Sequence, residues 1–209
     1  MKTFRVLFPL ACLFLFRAPL LHAAPGGDAP DLLHDVARKS SNIQTLSADF
    51  QQQKKLSVLA RPLLSEGYIC VSTRGADTRL LWAYTKPEPS GFLYENGKGS
   101  LWQKHMRERR ETDARETEII AAITRHALSW VHVDPDAVRN AYRVESQGEA
   151  ELVLVPRRKT FFSRMRVQFT PTRDSLSRLT FLEDNGDATS ISFSQTVLNK
   201  PLPSRCAAE

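Results

Sequence analysis

Between positions 50 and 102 eight side chains, seven of them aromatic, stand out on the hairpins: Phe50, Tyr68, Leu80 and Trp82, then Tyr84, Phe92, Tyr94 and Trp102. Leu80, Trp82 and Tyr84 recur at every second position, so they share one face of a strand. The chemistry open to such a row is non-covalent. A buried aromatic ring withdraws about 150–250 Å² from water. At about 25 cal/mol per Å², a hydrocarbon chain lying along the row gains several kcal/mol. Singly, each of these residues fits an ordinary core; together they exceed what a few short helices can cover. Covalent chemistry has much weaker support. The histidines, His22, His34, His105, His126 and His132, are scattered, and those on helical segments sit among charged neighbours and read as surface residues. There is no nucleophile elbow, phosphate loop or dinucleotide fingerprint. No Cys/His spacing suits a metal. Glu183, Asp184 and Asp187 border a turn and serve its geometry. No cofactor, metal or catalytic residue is therefore expected.

The elements that position these residues follow from the periodicity. Asp28 can cap a first helix with Pro30 just inside it, and Leu32, Leu33 and Val36 form its apolar stripe to about Ser40. The period then falls to two. Strands are expected at Leu46 to Phe50, Leu63 to Val71, Leu80 to Thr85 and Phe92 to Tyr94, with Asn96-Gly97 as a hairpin turn into Leu101-Trp102. Met106 to Glu118 is densely charged and reads as a solvated segment. Thr117 to Trp130 returns to helical spacing, with Ile119, Ile120, Ile123, Ala127 and Trp130 on one stripe. Asp134-Pro135-Asp136 can cap one further helical turn. Strands are expected again at Tyr142 to Ser146, Glu151 to Val155, Arg164 to Phe169, Ser177 to Leu182 and Thr189 to Val197. In the last, Ile191, Phe193 and Val197 are expected on the inner face and Ser190, Ser192 and Ser194 on the wet one. Short turns between so many strands favour an antiparallel meander. With one wet face, it curls around its apolar side. The fold class is mainly β (α+β): an incomplete antiparallel β-barrel, a curved sheet whose helices plug the mouth.

The N-terminus carries a different signal. Lys2 and Arg5 precede an apolar run from Val6 to Phe16, and His22-Ala23-Ala24 provides small residues for cleavage. This is the pattern of a secretory signal peptide, residues 1–23, too short to span a membrane. Residues 24–209 form the expected exported domain, free of a stable anchor. Of the 29 Lys and Arg residues, Lys2, Arg5 and Arg17 leave with the signal, so 26 face 23 acids at net +3. That excess does not suggest nucleic acid. Cys70 and Cys206 remain and could pair in an oxidising compartment.

A family pattern runs through the same residues. Phe50-Gln51 is followed by Gln53, Lys54 and Leu56, then by Arg61-Pro62-Leu63 and Ser65-Glu66-Gly67-Tyr68. Arg74, Leu80-x-Trp82, Pro87, Asn96-Gly97 and Leu101-Trp102 continue the order, and Phe193 to Pro203 ends it with Asn199-Lys200-Pro201-Leu202-Pro203. This order resembles the periplasmic outer-membrane lipoprotein carrier family, LolA. The resemblance implies an unclosed barrel with a helical lid over a hydrophobic cavity. It also implies a monomeric periplasmic carrier, moving lipoprotein or related lipid cargo from an inner-membrane release complex to an outer-membrane acceptor. On that reading the eight residues above bind acyl chains from the sheet, and Ile119, Ile120 and Ile123 bind them from the lid. Arg74 is the expected lid-locking arginine, with Arg79 as its rival. The chain departs from the family where Gly75 follows Arg74 in place of proline, and where the charged Met106 to Glu118 segment replaces the family pattern. Two other functions stay open: a lipid-binding sensor or adaptor of the same fold, and an envelope hydrolase.

Overall fold

The computed structural model describes residues 31–75, 77–103, 109–147, 149–160 and 162–207. Helix α1 is Leu32–Ser40, followed by strands β1 (Thr45–Lys55), β2 (Leu63–Arg74), β3 (Asp77–Lys86), β4 (Ser90–Glu95), β5 (Lys98–Gln103) and β6 (Arg110–Glu111). Helices α2 (Ala114–Leu128) and α3 (Pro135–Ala141) intervene. Strands β7 (Tyr142–Gln147), β8 (Glu151–Pro156), β9 (Arg164–Phe169), β10 (Leu176–Leu182) and β11 (Ala188–Leu198) complete the sheet, and a 3₁₀ turn at Ser204–Cys206 follows.

All eleven strands form one antiparallel sheet, ordered β6-β5-β4-β3-β2-β1-β11-β10-β9-β8-β7. Two meanders, β1 to β6 and β7 to β11, are thus joined where the first strand pairs with the last. The sheet stays open between β6 and β7, and the connection across that gap is α2 and α3. This matches the expected incomplete barrel with helical cover. The turn at Asn96-Gly97 has φ of 47° and 86°, the left-handed pair that a tight hairpin demands.

Local chemistry sets the boundaries. The cap of α1 is Asp31, which accepts from the Leu33 amide at 3.2 Å, so the helix begins after Asp31; Asp28 and Pro30 lie outside the described residues. Asp134 caps α3 and Pro135 occupies its first position, as expected. In β11 the strict alternation fails. Gln195 takes φ 51°, and the register with β1 shifts between Ser47 and Asp49. Such a bulge inverts the faces beyond it. Thr196 and Leu198 therefore turn inward, and Val197, expected on the inner face, is exposed.

The concave side holds two apolar clusters. In one, α1 (Leu32, Leu33, Val36) and α3 (Val138) pack onto Leu152, Leu154, Met165, Val167 and Leu179 of the C-terminal strands. In the other, Ile43 and Val131 pack onto Phe50, Ile69, Val71, Leu80 and Trp82 of the N-terminal ones. Phe181 and Phe193 border both. A third, small cluster lies on the convex side, where the Cys70–Cys206 disulfide meets Leu81, Tyr68, Leu93, Trp102 and Leu202.

Candidate functional site

Between the two concave clusters lies a cavity of about 600 Å³. That falls within the range of about 300–1,000 Å³ typical of small-ligand sites. One wall is the N-terminal meander, with Ile69, Trp82, Tyr84 and Phe92. The opposite wall is Leu179, Phe181, Ile191 and Phe193 of β10 and β11, joined by Tyr142 and Phe162. The roof is the C-terminal half of α2 and the loop after it, through Ile123, His126, Ala127, Trp130 and Val131. Ile123 lines the cavity while remaining 44% exposed, so the cavity reaches solvent beside it.

Register explains which expected residues reach this space. Trp82 pairs with Phe92, and both line it. Phe50 and Leu80 share that face but are fully buried one layer behind: Phe50 packs on Trp82 with centroids 5.0 Å apart and edge-on to Tyr84 at 5.3 Å. Gly67, the register partner of Phe50, makes this possible, since a Cβ there would strike the tip of the Phe50 ring and the Ala83 carbonyl. Tyr94 is half-buried and opposite Leu80, off the cavity lining. Ile120 is buried against Gly99 of β5, where it seats the lid on the sheet edge.

Other expected residues lie further from this space. Tyr68 and Trp102 belong to the convex cluster, because in this register they alternate with Ile69 and Leu101. Ile119 is 53% exposed and is absent from the lining, being one residue round the helix from Ile120. Arg74 is exposed at the end of β2 and makes no side-chain hydrogen bond among the described residues; Arg79 faces Glu95 at 3.6 Å. The lid is tied instead just beyond α2. There His132 Nε2 donates to the Ile43 carbonyl at 2.8 Å, with Thr73 Oγ1 at 3.5 Å, and the Val133 amide donates to Ser40 Oγ at 3.3 Å.

The histidine expectation also needs revision, since His126 is largely buried and faces Phe181 at a centroid distance of 6.2 Å. Burial pushes its pKa down, which favours the neutral ring. Burial likewise pushes the Tyr84 and Tyr142 hydroxyls up. His126 Nε2 and Trp130 Nε1 are buried without a hydrogen-bond partner among the described residues. An apolar cavity roofed by two unsatisfied ring nitrogens can hold a hydrocarbon chain that ends in an ester or amide group. Among the described residues no group of metal-ligating side chains occurs, and no helix is long and apolar enough to cross a membrane. The C-terminal half of the lining is not among the expected lipid-binding residues: Ile191 and Phe193 are expected on the inner face and lie there, and the shared parity of Leu179 with Phe181 is the signal that points to the rest.

The start of the lid is fixed by charge. Asp113 caps α2 through the Glu116 amide at 2.8 Å, and Glu116 reaches back to the Asp113 amide at 3.1 Å, a capping box. Arg110 grips both Glu116 oxygens at 2.8 and 2.6 Å. These bonds, Arg110's first, hold the Glu116 carboxyl down at about 2, against an ordinary 4.5. A depressed carboxyl contributes fully above its ordinary pKa and loses that contribution as pH falls through the lowered one. A carbon-13 titration of Glu116 is expected to show a midpoint near 2, moving upward in Arg110→Ala. A wild-type midpoint at the ordinary value would mean that this grip is absent in solution.

The sequence matches the family model of the outer membrane lipoprotein carrier protein LolA over residues 41–206. Curated protein sequences give no significant match. Among solved structures, the fold is similar to that of MucB in complex with MucA(peri), with TM-score 0.51 and 12% identity, over 87% of this chain and 60% of that one. The chain thus spans less than two thirds of MucB. An uncharacterized conserved protein from Thermus thermophilus is similar at TM-score 0.50 and 11% identity, over 88% of this chain and 94% of that one. Mycobacterium tuberculosis lipoprotein LppX gives TM-score 0.44 and 12% identity, over 84% and 98%. At such identities the likeness is one of fold. The family model, by contrast, covers nearly all of the described sheet, and the chain belongs to the outer membrane lipoprotein carrier protein LolA family.

Proposed function

We propose that the protein is a periplasmic carrier that takes the acyl chains of a lipoprotein, or of a related lipid, into the cavity under α2 and moves them from the inner to the outer membrane. The observation that carries this reading is the apolar cavity of about 600 Å³ that the chain's own side chains leave unfilled. Each methylene buried there gains about 0.8 kcal/mol. The family membership and the apolar N-terminal run support export, with residues 1–23 as the removed signal. The release complex and the acceptor are the expected partners, and transfer needs no bond made or broken in the carrier. The unsatisfied Trp130 indole N–H, a donor only, favours cargo with a carbonyl at the head of its chains. The test is native mass spectrometry of the protein purified from the periplasm of its own source, followed by handover of the bound species to acceptor vesicles. Bound acyl-lipid mass and net transfer are expected. A protein that emerges without lipid and takes up none would sink the reading.

A lipid-binding adaptor is the second reading, favoured by the likeness in fold to MucB, which was solved with MucA(peri). It differs in outcome: an adaptor retains its lipid when acceptor vesicles are offered and changes its affinity for a protein partner instead.

A further inference from the structure

Beyond the cavity, one element has its oily side chains outside. The β1–β2 hairpin outruns its neighbours: β11 begins at Ala188 opposite Lys55, and β3 ends at Lys86 opposite Glu66. Residues 56–62 therefore project past the sheet, and Leu63 and Leu64, paired with Lys54 and Gln53 of β1, continue β2 beyond the end of β3. The hairpin end is apolar, with Val58 at 85% exposure, Leu59 at 44%, Leu63 at 51% and Leu64 at 65%. Isolated exposed apolar residues need no explanation, but a contiguous group marks a contact surface. The projection is built, not frayed. The Leu59 amide donates to the Leu56 carbonyl at 3.0 Å, and the Ser57 amide donates to Asp187 Oδ1 at 2.7 Å.

Two features select the partner. Leu63 and Leu64 are consecutive in a strand, so they point to opposite faces. A protein partner laid on one face would leave the other wet, whereas a lipid interface surrounds a penetrating tip on all sides. The second feature is charge. The hairpin segment from Lys54 to Leu64 holds Lys54, Lys55 and Arg61 and no acid. On the same rim, exposed Arg158 and Lys159 lie in the loop between β8 and β9. The rim's acids have local partners in part: Asp187 takes the Ser57 amide, and Glu66 pairs with Lys86 at 2.8 Å. Glu183 and Asp184 sit in the adjacent β10–β11 turn. Apolar side chains flanked by Lys54, Lys55 and Arg61 suit the headgroup region of an anionic bilayer.

We propose that the tip of the β1–β2 hairpin is a membrane-touching element that places Val58, Leu59, Leu63 and Leu64 in the interface of an anionic bilayer. It brings the rim of the barrel to the surface that supplies or receives lipid. The contact requires no cargo, so it is testable apart from the carrier reading. The protein is exported from a bacterial host and taken with the N-terminus the host leaves, which its mass identifies. It is then sedimented with phosphatidylcholine vesicles and with vesicles containing one quarter phosphatidylglycerol. At low salt, at least tenfold more protein is expected on the anionic vesicles, falling as salt rises. The triple variant Val58→Ser, Leu59→Ser, Leu64→Ser is expected to lose at least tenfold of that binding, with its circular dichroism and its uptake of a fluorescent fatty acid unchanged. Ile123→Glu, outside the hairpin, should sediment as wild type does. The proposal is overturned if the wild-type protein ignores both vesicles or if the triple variant binds them equally well. It is also overturned if the hairpin changes act only on capture by a protein acceptor, which would make this a protein-docking tip.

Discussion

Ala127→Trp is expected to block acyl-chain binding while leaving the sheet folded. Ala127 lies on the cavity side of α2, between the half-exposed Ile123 and the buried Trp130. Its small side chain is part of the reason that space is left beneath the lid. An indole added there would project into the cavity, and overpacking strain arises only where a site is already filled. Affinity for a fluorescent 16-carbon fatty acid should fall at least tenfold, about 1.4 kcal/mol, with the thermal midpoint unchanged or raised. Ile123→Glu approaches the same site from its solvent side. It sets a carboxylate at the mouth, where partial exposure keeps the charge hydrated, and a similar loss is expected. Leu80→Glu would be a poor substitute. Leu80 is fully buried behind the cavity wall, and an unpaired charge there unfolds the protein before any ligand is tested. Undiminished fatty-acid affinity in both Ala127→Trp and Ile123→Glu would remove the cavity from the carrier reading.

These choices show how far the sequence alone could reach. Most strands were legible because alternation and turn residues are local signals, and β9 falls at Arg164–Phe169, as expected. The pairing of β1 with β11 and the short β6 inside the charged segment were not, since neither leaves a local pattern. The face of each residue was legible only where alternation was unbroken. A left-handed Gln195 reversed the end of β11, and nothing in the pattern Ile191-Ser192-Phe193 announces it. Depth was not legible at all. Phe50, Trp82 and Tyr84 look equivalent in sequence, yet Phe50 is packed behind the other two, because a glycine opposite it makes room for the ring. Tyr68 and Trp102 match the inward aromatics in type, but alternation with Ile69 and Leu101 places them on the convex side, against the disulfide. The lid tie was missed for a similar reason. A lone histidine after a helix carries no motif, and its meaning comes from the Ile43 carbonyl that the chain brings to it from 89 residues away.

Cys206→Ser is expected to produce the largest loss of stability among conservative changes on the convex side. The bridge to Cys70 closes a loop of 136 residues, and a native disulfide of that reach contributes typically ~2–4 kcal/mol by restricting the unfolded chain. In a domain of this size each kcal/mol shifts the midpoint by about 2–4 °C, so a fall of roughly 4–16 °C is expected. More than the bond is lost. The C-terminal turn it holds places Arg205 over the Tyr68 ring at 4.9 Å, and its guanidinium 2.7 Å from the Asp49 carboxylate. The Tyr68 hydroxyl in turn donates to the Arg205 carbonyl at 3.2 Å. A reductant should lower the wild-type midpoint by the same amount and leave Cys206→Ser unmoved; equal midpoints with and without reductant would mean that the bridge restrains nothing. The position of this clamp bears on function. β1, β2 and β3 form the wall under the lid, and the cavity on one face is only as stiff as the packing on the other. On the carrier reading the roof opens over a floor that stays in place, and the convex cluster of Cys70, Leu81, Trp102 and Cys206 braces that floor from behind. Fatty-acid affinity well below the midpoint should therefore be retained in Cys206→Ser, while the temperature at which binding fails should fall in step with unfolding.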